Sequence, residues 1–198
     1  MLKLFYMSVK DVSDGVPGDI SEYRKDKILS ARRDEAKRLM TAAALVLKAG
    51  FASFGVNEKD IVYSNLENGK PFALSHPEIH FSLSHSETMA VAVFSDSPVG
   101  VDCERADREV PAELVRRFLH LPKNETVAEP LLMWVAGESI SKLSGLGILS
   151  DKAKSHISVF NGHVASCGDV TLEKFTLLDN LVVISTKSYE KAEIIGVS

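Results

Sequence analysis

The chain has 198 residues, 45% of them hydrophobic and 25% charged, and a formal net charge of −4 at pH 7. Such a length holds about one or two domains with a self-sufficient core, and its balance of charge and apolar content excludes a disordered chain and argues against generic nucleic-acid binding. No apolar run is long enough to span a membrane and no secretory leader opens the sequence, so the expected compartment is a reducing cytoplasm.

In chain order, residues 2–9 read as a strand, followed by the turn-rich run Asp14-Gly15-Val16-Pro17-Gly18. Ser30 is placed to cap a helix in which Ala36, Leu39, Met40, Ala43 and Leu47 recur at three- and four-residue steps, with Gly50 as its stop. Residues 61–64 predict a short strand and Asn68-Gly69-Lys70-Pro71 a turn. Three more strands are expected over 81–84, 89–94 and 99–104, with Asp96-Ser97-Pro98 joining the last two as a hairpin connection would. Pro111 opens a short helix carrying Leu114, Val115, Phe118 and Leu119. A second sizeable helix runs from Pro130 to about Leu143, ended by Gly145 and Gly147. Residues 157–160, 170–175 and 181–186 read as antiparallel strands. This order predicts an α+β fold of two similar halves with a seam near residues 95–105.

Cys103 and Cys167 show no metal-ligand spacing, and a disulfide between them is the minor alternative to two free thiols. Charge is unevenly spread. Arg24, Lys25, Lys27, Arg32, Arg33, Lys37 and Arg38 crowd one segment, and Arg116, Arg117 and Lys123 a second. An acidic partner or a phosphorylated small molecule would use such clusters; a solvated helix face is the other reading.

Val99-Gly100-Val101-Asp102-Cys103-Glu104 is the most informative run. Strand residues two apart share a face, so Asp102 and Glu104 project together. Paired carboxylates suit Mg²⁺, which keeps waters and substrate phosphates as its other ligands; the alternative is a solvated or salt-bridged pair. Glu138 is a candidate third ligand from the second helix, and Lys142, four residues later on the same face, a candidate phosphate contact. A plain Glu138–Lys142 ion pair is the alternative. Trp134 reads as a packing residue. In Phe81-Ser82-Leu83-Ser84-His85-Ser86, hydroxyls and an imidazole gather at a strand end, suited to phosphate oxygens. A structural histidine is the alternative there, and a Ser-His-acid nucleophile is a weak one, since no G-x-S-x-G elbow is present.

These residues carry a resemblance. The chain resembles the 4'-phosphopantetheinyl transferase superfamily, in its two-lobed type typified by the surfactin synthetase activator. Gly69-Lys70-Pro71-Phe72 with Phe81–Ser86 is similar to the family's G-K-P and F-N-L-S-H-S, residues 99–104 to its I/V-G-I/V-D-I/V-E, and Trp134-Val135-Ala136-Gly137-Glu138-Ser139 with Lys142, Gly145, Gly147 and Ile148 to its W-x-x-K-E-A/S…K…G-x-G-L. The resemblance implies a pseudo-dimer of two lobes, 1–97 and 98–198, each a long helix on a small antiparallel sheet, with the active site in the cleft between them and a monomeric chain. It implies Mg²⁺-dependent transfer of 4'-phosphopantetheine from coenzyme A to a serine of an acidic acyl or peptidyl carrier protein, as in holo-[acyl-carrier-protein] synthases. A weakly active or inactive homologue that binds coenzyme A or a carrier is the alternative. Neither nucleic acid nor membrane is an expected partner.

By the same resemblance, Asp102, Glu104 and Glu138 are the metal ligands, and Glu138, Lys142 and His85 the catalytic set. Ser84, His85 and Lys142 would meet the phosphates, Lys70 and Pro71 would wall the adenine, and Arg24 and Lys37 would hold the 3'-phosphate. The chain departs from the pattern at Gly137, where the family carries a lysine. It departs also over Leu119-His120-Leu121-Pro122-Lys123-Asn124-Glu125 and, mildly, at Cys103.

Overall fold

A computed structural model of the chain describes residues 1–67, 69–145, 157, 158 and 160–198, and it is α+β. The chain opens with β1 (Leu2–Ser8), then α1 (Glu22–Ser30) and α2 (Asp34–Ala52). β2 (Tyr63–Asn65) and β3 (Pro71–Ala73) form a small hairpin, followed by β4 (His80–His85), β5 (Met89–Ser95) and β6 (Val99–Arg105). The helices α3 (Ala112–Phe118) and α4 (Pro130–Ser144) come next. Last are β7 (Val164–Cys167), β8 (Val170–Leu177), β9 (Asn180–Thr186) and β10 (Glu193–Gly196).

Two four-stranded sheets result, ordered β10-β1-β5-β4 and β6-β9-β8-β7. Their faces stack into layers. On one face of the first sheet, Phe5, Phe81, Ala92 and Phe94 meet Ala43, Val46, Leu47 and Phe51 of α2. On the other, Leu4, Met89, Val91 and Val93 meet Val101, Cys103, Val182 and Ile184 of the second sheet. The second sheet's far face, with Leu172 and Val183, packs under Leu132, Val135, Ala136 and Ile140 of α4. β5 is therefore buried along its whole length, which explains why it reads as unbroken apolar residues with no alternation. Gly100 is required where α4 crosses β6: a Cβ there would stand 2.1 Å from the Ser139 carbonyl oxygen.

Several sequence expectations are corrected. Ser30 ends α1 instead of capping α2; its hydroxyl bonds back to the Lys27 carbonyl at 2.9 Å, and α2 starts after Arg33 with Asp34 and Glu35 in its first turn. Gly50 lies inside α2, against the Phe94 ring, and the helix continues to Ala52. The 96–98 turn makes no hairpin. β5 pairs with β1 and β4, while β6 pairs with β9, so the turn carries the chain from one sheet to the other. Ile157 makes a single bridge to Cys167 and starts no strand among the described residues. Asn68, Gly147, Ile148 and Val159 lie outside the described residues, and Gly145 ends α4 with φ 66°. Cys103 and Cys167 are both free and buried.

Candidate functional site

β4 and β6 are edge strands of different sheets, and they meet through side chains. The outward N–H of Val101 donates to Ser82 Oγ at 3.1 Å, and that of Cys103 to Ser84 Oγ at 3.4 Å. Ser84 in turn donates to Asp102 Oδ1 at 2.8 Å and accepts from Lys142 Nζ at 2.9 Å. One hydroxyl donor and two acceptor positions are thus fully used. Lys142 also reaches Asp102 Oδ1 at 2.7 Å. The sequence reading placed Ser84, Asp102 and Lys142 on three separate motifs, and the fold brings them into one cluster.

Asp102 is 6% exposed, and its Oδ2 is buried with no hydrogen-bond partner among the described residues. Glu104, two residues on, takes the Arg108 guanidinium. Desolvation pushes the Glu104 carboxyl above its ordinary range, Arg108 opposing the shift and Asp102 adding to it. His85 ends β4 on a cavity of about 500 Å³ whose walls also hold Leu39, Ser86, Glu104, Arg105 and Arg108. Desolvation first, then the Lys142 cation, lowers the His85 pKa from its ordinary value. Ser86 is a turn residue: its hydroxyl accepts from the N–H of Thr88 and of Met89, both at 3.1 Å.

Glu138 is half-buried on α4, one turn before Lys142. Among the described residues no group of three His, Cys, Asp or Glu side chains stands at the spacing of a ready-formed metal site. The donor set nevertheless suits a hard divalent cation. Two carboxylates share one strand face, one of them with a buried unpartnered oxygen, and Mg²⁺ binds through one or two carboxylates plus phosphate oxygens.

Lys70 sends its ammonium to the Lys142 carbonyl at 2.6 Å and the Val99 carbonyl at 3.2 Å, tying the β2–β3 hairpin to α4 and β6. Burial, with Lys142 adding to it, lowers its pKa to about 8. Lys70 and Pro71 line a second cavity of about 280 Å³ with Phe81, Leu143 and Gly145. Arg24 is buried with its guanidinium 4.7 Å from the Tyr63 ring centroid, and Lys37 pairs with Asp34 beside a hollow lined by Asp14 and Arg38. The first basic cluster is thereby divided among separate surroundings. Arg108 went unnoticed in the sequence, since it follows the Asp-Cys-Glu run by a turn whose path no local pattern specifies.

Gly137 is closed off. A Cβ there would stand 2.6 Å from Phe118 Cε1 and 2.7 Å from Leu119 Cδ2. Phe118 also packs on Trp134, with ring centroids 4.7 Å apart.

Fold and cluster together define an α+β protein with a carboxylate–lysine–serine site where two sheets meet. The chain is similar to 4'-phosphopantetheinyl transferases, of the surfactin-activator type. It is 27% identical over 125 residues to the transferase Sfp of Bacillus subtilis strain 168, covering 59% of this chain and 55% of that protein. It is 28% identical over 123 residues to the transferase gsp of Aneurinibacillus migulanus, covering 58% and 51%. To the transferase ffp of Bacillus subtilis it is 28% identical over 125 residues, covering 59% and 55%. The matched stretch spans about half the length of these curated relatives. No protein-family model matches the chain. Among the described residues no helix is long and apolar enough to cross a membrane.

Proposed function

We propose that the chain is a 4'-phosphopantetheinyl transferase of the holo-[acyl-carrier-protein] synthase type, moving phosphopantetheine from coenzyme A to a serine of an acidic carrier protein. The observation that carries this reading is the junction of Ser84, Asp102 and Lys142, with His85 and Glu104 on the adjoining cavity. These residues come from the three sequence blocks that resemble the family. In this reading Asp102, Glu104 and Glu138 would hold Mg²⁺, which would supply charge neutralisation at the diphosphate.

The chain's own residues do the rest. Lys142 moves from Asp102 to the diphosphate oxygens, Ser84 turns its hydroxyl proton from Asp102 to them, and His85 donates an N–H. Glu138 accepts the proton of the carrier serine as that hydroxyl attacks the phosphorus bearing the pantetheine arm; adenosine 3',5'-bisphosphate leaves. Lys70 and Pro71 wall the adenine, and the 3'-phosphate is assigned to Lys37, with Arg24, buried against Tyr63, as the less accessible second candidate. The basic segments meet the acidic carrier. The two halves, 1–97 and 98–198, act as a pseudo-dimer within a cytoplasmic monomer, with the site in the cleft between them.

Incubating apo carrier proteins with coenzyme A, Mg²⁺ and the protein tests this. Intact-mass analysis is expected to show the gain of one phosphopantetheine group, falling at least ~10²-fold in rate in Glu104→Ala, since a ligand of the cation that would neutralise the diphosphate is lost. Coenzyme A binding without any mass gain would leave a binding homologue in place of an enzyme.

A further inference from the structure

Each carboxylate of the β6 pair is matched by one basic side chain. Lys142 takes Asp102, and Arg108 takes Glu104. These two pairs are therefore balanced in charge with no ligand present, and a polyphosphate arriving beside them would draw on their cations. Gly137 offers none, because Phe118 and Leu119 fill the space its side chain would need. Arg108 is placed to do so. It lines the same cavity as His85 and Glu104, its side chain is 42% exposed, and its guanidinium lies 5.9 Å from the Trp134 ring centroid, one helical turn before Glu138. Its end of the ion pair is reached by water, although Glu104 is only 22% exposed, so the guanidinium can exchange partners from the solvent side, and a guanidinium fork fits phosphate oxygens two at a time.

We propose that Arg108 is a phosphate-binding residue of this cleft, parked on Glu104 until ligand phosphate oxygens take its guanidinium and leave that carboxylate to a divalent cation. The proposal rests on the reading of the cleft as a coenzyme A site. It assigns Arg108 two opposed effects, competition with a divalent ion for Glu104 and attraction of the polyphosphate.

Calorimetry on the full chain separates the two effects, using Mn²⁺ alone and then coenzyme A with Mg²⁺. Relative to wild type, Arg108→Gln is expected to bind Mn²⁺ severalfold more tightly and coenzyme A at least ~10-fold more weakly, the loss of charge-assisted hydrogen bonds. Arg108→Lys, which keeps the charge but not the fork, falls between them and serves if the glutamine variant misfolds. Arg105→Gln removes a charge from the same cavity wall and controls for bulk electrostatics. The chain's single tryptophan, Trp134, supplies an optical readout: coenzyme A should alter its emission in wild type and much less in Arg108→Gln. Unchanged Mn²⁺ affinity, or a coenzyme A loss no larger than that of Arg105→Gln, overturns the role of Arg108 and leaves the proposed function standing. A wild-type chain that binds no coenzyme A overturns both.

Discussion

At Gly137 two forces oppose each other. Glycine inside a helix sacrifices up to ~1 kcal/mol of propensity, yet the close approach of Phe118 and Leu119 makes any larger residue an overpacked one. Overpacking costs about 1–3 kcal/mol, so Gly137→Lys is expected to lower stability by ~1–2 kcal/mol net in urea unfolding; a variant as stable as wild type would show that α3 yields easily. Ser84 makes the complementary point. Its hydroxyl was legible as a polar group at a strand end, whereas its occupation by Asp102, Lys142 and the Cys103 N–H was not. Three partners from three elements meet only after folding, and no spacing in the sequence encodes their distances. Asp102 and Glu104 were legible because two-residue alternation along a strand is a local rule. The engagement of both by basic side chains is a tertiary fact.

At the level of elements, Lys70 is the tie between the β2–β3 hairpin and the end of α4, where a cation also meets carbonyls left over at a helix C-terminus. Burial holds its pKa at about 8 against an ordinary value of 10.5. Between those values the unfolded chain binds more protons than the folded one, so the group's contribution to stability rises with pH across that window, and its cost is full below about 8. Lys70→Met should therefore flatten the pH dependence of unfolding free energy between pH 8 and 10.5 whatever it does to the level. Equal slopes in denaturant titrations of the two proteins would sink this account. No local pattern signals this tie, since Lys70 reads as part of a turn. The long helices and the buried strands were legible from period and apolar content. α1, β7 and β10 were not: α1 has a mean sequence character too polar to show a stripe, with Ile28 and Arg24 its buried residues, and β10 is four mostly exposed residues.

Across the whole molecule, the cluster shared by the two sheets sets how it unfolds. Leu4, Met89, Val91 and Val93 have no other partner layer than Val101, Cys103, Val182 and Ile184, so parting the sheets would bare both apolar faces at about 25 cal/mol per Å². β10 adds a second tie, returning the end of the chain to pair in parallel with β1. One cooperative transition is expected. Trp134 fluorescence, which reports α4, and the near-ultraviolet signal of Tyr6, Tyr23 and Tyr63 should change at the same denaturant concentration. Two separated midpoints would mean that the sheets melt independently.

The hydroxyl junction between β4 and β6 bears on solubility as well as on chemistry. An edge strand with bare N–H groups is a template for any passing chain, and β6 is such an edge until Ser82 and Ser84 fill its donors. Because those bonds come from side chains, the two sheets keep separate twists and are not locked into one continuous ladder. A mutation that strips the hydroxyls while sparing the carboxylates would thus do more than loosen a site. It would uncover an adhesive strip, and its first symptom would be self-association.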